Sequence, residues 1–222
     1  MTRRFAWIMF AACAVLVAGP SSARAAGPEQ IVFKQVTAPF QAFAVEKRGG
    51  RVLFEGMLHQ TSNWQRRVLR PPKGAPKGKG LLNIVIVDIN KQEVWSAYPS
   101  EGYYLKSKWS GRFCGIPVVR GIDLYCTKWQ GVRVGRENAN GVEANKYAIA
   151  ANVSGFEIKG HVWVESHGII VRFIGEVANK GGRSTVALNL RRLKVAPING
   201  KLFKVPPPGL KAFGQARQKR PR

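Results

Sequence analysis

Residues 131–150, GVRVGRENANGVEANKYAIA, and 161–173, HVWVESHGIIVRF, read together as a run of antiparallel strands whose turns are already marked. Asn140-Gly141 supplies the two positive-φ residues that a two-residue type I′ hairpin needs. Gly168 closes a second turn, Glu165 to Gly168, which pairs Val164 with Ile169 and Trp163 with Ile170. On this register one face carries Val162, Val164, Ile169, Val171 and Phe173, and the other His161, Trp163, Ile170 and Arg172. Both faces hold large apolar groups, so the sheet must be covered or must hold a ligand.

The rest of the chain extends this pattern in both directions. Phe43 to Glu46 and Val52 to Leu58 flank Arg48-Gly49-Gly50 as a hairpin, and Asn63 to Leu69 forms the next strand. Leu82 to Ile89, Gln92 to Ala97 and Gly102 to Leu105 make a meander through Asn90-Lys91 and Pro99-Ser100-Glu101. Later strands are Lys128 to Glu137, Val142 to Ala151, Phe156 to Val164, Ile169 to Glu176 and Thr185 to Val195. Only Glu29 to Val36 reads as helical, for one or two turns, because Pro28 and Pro39 bound it. Arg70 to Gly80, RPPKGAPKGKG, is an exposed Pro/Gly/Lys loop, and residues 210–222 form a disordered basic tail. The fold class is mainly β (α+β), with about 10 or 11 strands in the sheet.

The first residues set the compartment. Arg3 and Arg4 precede an apolar run from Phe5 to Gly19, and Ala23-Arg24-Ala25 is a small-x-small cleavage site, so residues 1–25 read as a secretory signal peptide. The chain carries 36 Lys and Arg against 12 Asp and Glu, and loss of Arg3, Arg4 and Arg24 takes the formal charge from +24 to +21. A surface this basic is attracted to phospholipid headgroups, anionic glycolipids or nucleic acid, although bases spread over nearly every strand also fit a solvated surface.

Cys114 and Cys126 are the two cysteines beyond the leader, and an oxidising compartment pairs them. A three-residue turn at Val119-Arg120-Gly121 sets them opposite one another, within disulfide reach. No C-x-x-C is present and no histidine stands at ligand spacing, so no metal, cofactor or redox role is expected. With His59, His161 and His167 as the only histidines and no G-x-S-x-G elbow, no catalytic residue is expected either. Glu137 and Asp88 sit beside turns, where carboxylates cap backbone N–H groups, and the register sets His161 beside Arg172.

Three blocks resemble the LolA/LolB/LppX-type lipoprotein-carrier superfamily. The first is IVIVDINKQEVWSAYPSEGYYL, through Asp88, Val94, Trp95, Pro99 and Tyr104. The second joins VGRENANGVEANKYAI to HVWVESHGIIVRF, through Gly135, Glu137, Gly141, Tyr147, Trp163, Gly168 and Arg172, and the third is LNLRRLKVAPINGKLFKVPPPG. Together they cover most of Val45 to Gly209. The resemblance implies a single domain over residues 26–209, a strongly curved antiparallel half-barrel whose concave apolar side is lidded by a few short helices or loops. The family's long N-terminal helix is hardly present in this chain.

What the resemblance implies for function is a non-catalytic periplasmic carrier for a lipid or a lipidated protein. Expected groove residues are Phe54, Trp64, Trp95, Tyr104, Trp163 and Phe173, each of which would otherwise be ordinary core. Arg66, Arg67, Arg70, Lys73, Lys77 and Lys79 are expected to meet a headgroup or an anionic membrane surface. The partners expected are acyl chains of a lipid or lipoprotein, with no nucleic acid. The alternative is a basic envelope protein that binds a polyanion (lipopolysaccharide, anionic glycan or nucleic acid) by surface charge.

Overall fold

The computed structural model describes residues 29–34, 36–70, 83–109, 111–115, 117–119 and 122–213. The expected leader, the loop from 71 onward with Lys73, Lys77 and Lys79, the Arg120-Gly121 turn and the end of the basic tail lie outside these residues. In chain order the strands are β1 (Glu29–Val32), β2 (Phe40–Arg48), β3 (Arg51–Gln60), β4 (Trp64–Leu69), β5 (Ile84–Asp88), β6 (Glu93–Tyr98) and β7 (Tyr103–Lys108). There follow β8 (Pro117–Val119), β9 (Ile122–Asp123), β10 (Lys128–Ala139), β11 (Val142–Val153), β12 (Phe156–Val164), β13 (Ile170–Asn179), β14 (Gly182–Val195) and β15 (Lys211–Ala212).

Thirteen of these strands form one curved, open sheet in the order β1-β10-β11-β12-β13-β14-β2-β3-β4-β5-β6-β7-β15. It consists of two meanders, β2 to β7 and β10 to β14, joined where β14 pairs antiparallel with β2. Only β15, parallel to β7, departs from antiparallel pairing. The Gly49-Gly50 and Asn140-Gly141 turns have the positive φ values expected of them, closing Arg48 on Arg51 and Ala139 on Val142.

Three local expectations are corrected. Residues 29–32 form a strand rather than a helix, because Ile31 and Val32 are β-branched and the edge of β10 offers unpaired backbone groups beside them. Lys211 and Ala212 are ordered as a strand instead of belonging to a disordered tail, with Phe213 packed 5.0 Å from the Tyr103 ring. The turn after β12 is longer than expected: Trp163 faces Arg172, Val164 faces Ile170, and His161 faces Ile174 rather than Arg172. The cause is Glu165, whose Oε1 accepts from the N–H groups of His167 (2.8 Å) and Ile169 (3.0 Å) and so holds residues 165–169 as a closed loop.

The registers separate two faces. One carries Phe40, Ala42 and Ala44 of β2, Phe54 and Leu58 of β3, Ile149, Ile158 and Val162, Phe173 and Val177, and Leu188 and Leu190, all buried in a single cluster. Gly56, Gly131, Gly160 and Gly175 lie on the same face, and a Cβ on Gly160 would land on the Ile174 carbonyl and the Gly175 Cα across the ladder. Strands can bend sharply there only because side chains are missing, which makes this face the inside of the curve. On the outer face the C-terminal segment covers β4 to β6: Phe203, in a 3-10 turn at Gly200–Phe203, stacks 6.4 Å from Trp64, itself 6.3 Å from Trp95.

Candidate functional site

No helix layer covers the concave face among the described residues; a loop does. The described residues of 111–127 leave the edge of the first meander and cross over this face, carrying Cys114, Ile122, Leu124 and Tyr125 into the same buried cluster as the sheet side chains. Cys114 and Cys126 are disulfide-bonded, with Cα atoms 5.6 Å apart. The hairpin expected between them exists only as the short pair β8–β9, with Pro117 opposite Asp123. Cys126 lies beyond it, in a turn.

This strap is held at four places, each through a buried or half-buried polar group. At the β5–β6 turn Gln92 receives the Phe113 N–H on Oε1 (2.6 Å) and donates to the Phe113 carbonyl (3.0 Å). On β3 and β4, Gln65 Nε2 donates to the Gly115 carbonyl (2.5 Å) and to Gln60 Oε1 (2.7 Å). At the β12–β13 loop the Tyr125 hydroxyl accepts from Ile170 N (2.7 Å) and donates to the Gly168 carbonyl (3.2 Å). Burial raises the Tyr125 pKa, so the hydroxyl keeps its proton. Finally, Trp129 Nε1 donates to the Leu124 carbonyl (2.9 Å).

Asp123 organises the strap internally. Its Oδ2 accepts from the N–H groups of Cys114 (3.1 Å) and Gly115 (2.8 Å), and its Oδ1 from Tyr125 N (2.9 Å). Below it, Glu46 pairs with Arg67 at 3.2 Å, and Arg67 Nε also donates to Gln65 Oε1 (2.6 Å). Burial raises the Glu46 pKa, the Arg67 guanidinium opposes that, and the charge of Asp123 adds to it. One connected polar system therefore runs from the strap into an otherwise apolar floor.

The expected groove residues are divided between the two faces. Phe54 and Phe173 lie on the concave floor, whereas Trp64, Trp95, Tyr104 and Trp163 lie on the outer face by register. Phe203 packs on Trp64, which in turn packs on Trp95. Trp163 is buried between the cations of Lys146 (5.0 Å) and Arg172 (4.8 Å) and donates its indole N–H to Glu137 Oε1 (2.5 Å). That hydrogen bond, with Lys146 nearby, lowers the Glu137 pKa. Asp88 instead caps its turn, accepting from Lys91 N at 3.0 Å.

The expected headgroup cations are similarly divided. Arg67 points into the concave floor, while Arg66, opposite His59, and Arg70, 4.4 Å over the Phe43 ring, belong to the outer face. Burial lowers the pKa values of both His59 and Arg66, and Arg66 adds to the effect on His59. Sequence reasoning missed Gln60, Gln65, Asp123 and Tyr125. Their only signal was polar residues inside apolar strand patterns, which period-two reading treats as surface. Among the described residues no group of three or more His, Cys, Asp or Glu side chains is placed to hold a metal ion.

No protein-family model matches the chain, and no curated protein sequence does. Solved structures do resemble it. An uncharacterised conserved protein from Thermus thermophilus is similar with a TM-score of 0.48 and 12% identity, over 80% of this chain and 91% of that one. A LolA superfamily protein from Nitrosomonas europaea has a TM-score of 0.43 and 11% identity, over 78% and 92%. The lipoprotein LppX from Mycobacterium tuberculosis has a TM-score of 0.40 and 10% identity, over 72% and 88%. Two of these carry names from the group that the three sequence blocks resemble.

Proposed function

We propose that this protein is a non-catalytic periplasmic carrier that binds an acyl-bearing amphiphile, a lipid or the lipidated end of a protein, on the concave face beneath its strap. One observation carries the reading. Among the described residues the apolar floor is covered by a strap whose own secondary structure is the short β8–β9 pair, fixed through discrete polar anchors at Gln92, Gln65 and Tyr125. Lifting the strap would break these anchors and the contacts of Cys114, Ile122, Leu124 and Tyr125 but would unpair no strand of the large sheet. Ile122 and Leu124 then occupy the volume that acyl methylenes would take, at about 0.8 kcal/mol for each CH₂ buried. Phe54, Leu58 and Phe173 form the floor beneath them. The disulfide supports an oxidising compartment such as the periplasm.

The test is titration with a soluble fluorescent fatty acyl probe, together with native mass spectrometry of protein purified from the producing cell. Saturable binding that survives moderate salt supports the carrier. No probe binding and no co-purifying amphiphile refutes it. Binding that collapses on raising salt, with a polyanion competing, points to the surface-charge alternative instead.

A further inference from the structure

The most exposed large apolar side chain among the described residues, Leu53, stands at a hairpin tip beside a second exposed one, Val52, which only Val134 on β10 equals. Leu53 is 59% and Val52 50% exposed, next to one another at the start of β3. A β-bulge causes this: Glu46 pairs with Phe54 and Lys47 with Val52, so Leu53 is the extra residue and both side chains are turned out of the ladder. The tip also projects, since β4 pairs with β3 only from Gly56 onward. On the other flank it is tied to β14, through Gly49 N to the Thr185 carbonyl at 2.8 Å.

The charges at this tip are of one sign. Lys47, Arg48 and Arg51 surround the two aliphatic groups, and none makes an ion pair among the described residues. The neighbouring β13–β14 turn adds exposed Lys180. Nearby acids are already engaged: Glu46 with Arg67, Glu176 with Arg183 at 3.2 Å, and Glu157 with Lys159. Glu55 is half-buried further along β3.

We infer that the tip of the β2–β3 hairpin, Lys47 to Leu53, docks on an anionic phospholipid bilayer, with Val52 and Leu53 entering the interface and the three cations meeting lipid phosphates. Aliphatic side chains ringed by cations match a membrane interface, which offers apolar depth and negative charge together. A nucleic acid or glycan would use the cations and leave the aliphatics idle, and the tip has no aromatic ring for a base to stack on. The site is separate from the strap, so it stands or falls independently of acyl binding.

The experiment is co-sedimentation of the protein, purified from the producing cell with its N-terminus read by intact mass, on phosphatidylcholine vesicles with and without phosphatidylglycerol. Binding is expected only when phosphatidylglycerol is present. Each of Lys47→Gln, Arg48→Gln and Arg51→Gln is expected to weaken it about five-fold, the equivalent of ~1 kcal/mol per cation. The pair Val52→Ser and Leu53→Ser should weaken it about ten-fold or more, with the acyl-probe affinity and thermal unfolding unchanged. Lys201→Gln with Lys204→Gln, far along the chain, is the charge control and should change little. Equal losses in that control, or undiminished vesicle binding by the serine pair, would overturn the inference, the latter showing a surface that reads charge alone. Equal binding to vesicles lacking phosphatidylglycerol would overturn it too.

Discussion

Replacing Cys114 and Cys126 by alanine removes the cross-link within the strap, so that the strap can open with more conformational freedom, and leaves the sheet residues of the floor in place. The cysteines are 12 residues apart, and the chain-entropy model for a loop of that size assigns the disulfide about 3 kcal/mol. Cys114 is buried, so deleting its sulfur adds a small cavity contribution, on the order of 1 kcal/mol. Denaturant unfolding followed by circular dichroism should therefore show a loss of about 3 to 4 kcal/mol with an unchanged slope. The same perturbation has the opposite effect on binding if the strap must lift to admit acyl chains. Apparent affinity scales with the fraction of molecules in the competent, strap-open state. Up to ~3 kcal/mol less resistance to opening then means acyl-probe binding up to about 100-fold tighter. Wild-type protein reduced with a dithiol should match the variant. A folded variant whose probe affinity is unchanged or weaker would refute strap displacement, whatever its stability.

Three further outcomes follow from the same geometry. Asp123→Ala leaves the N–H groups of Cys114, Gly115 and Tyr125 without their acceptor and should cost about 3 kcal/mol or more in denaturant unfolding; a loss under ~1 kcal/mol would mean water replaces the carboxylate. Glu46 has a folded-state pKa above its ordinary 4.5, so the folded protein binds that proton more tightly than the unfolded chain. Its contribution therefore favours folding below pH 4.5 and is lost as pH rises through the folded value; Glu46→Gln should lack that decline, whereas parallel stability–pH curves would contradict the assignment. Trp163→Ala, on the outer face, should lower stability by about 3 kcal/mol or more and leave acyl-probe affinity alone, while Phe173→Ala should impair both.

Much of the fold was legible because its signals are local. Gly49-Gly50 and Asn140-Gly141 each name a turn type on their own, and the strands on either side need only period-two patterning. The disulfide was legible too, since a short turn between two cysteines limits where they can go. The site was much less so. Both faces of the sheet carry large apolar groups, the inner under the strap and the outer under Phe203 near Trp64 and Trp95, so alternation divides residues into two sets without saying which set is inside. For that reason Trp64, Trp95 and Trp163 were read with Phe54 and Phe173, although they lie on opposite sides. The Glu165 to Gly168 turn is present with Gly168 at positive φ, but the pairing beyond it differs from the expected register because the Glu165 carboxylate also binds the His167 and Ile169 N–H groups.

By itself, then, the sequence determined an antiparallel β protein of two meanders, its tight turns and its cysteine pair, because each depends on neighbours a few residues apart. Tertiary structure decided the rest. That β14 joins β2 rather than leaving two sheets, that residues 29–32 pair with β10 as a strand, and that Asp123, Tyr125 and Gln65 bind the strap over the concave floor all depend on groups far apart in the chain. Such pairings are selected by the burial and hydrogen-bond satisfaction of the whole assembly, which no local pattern encodes.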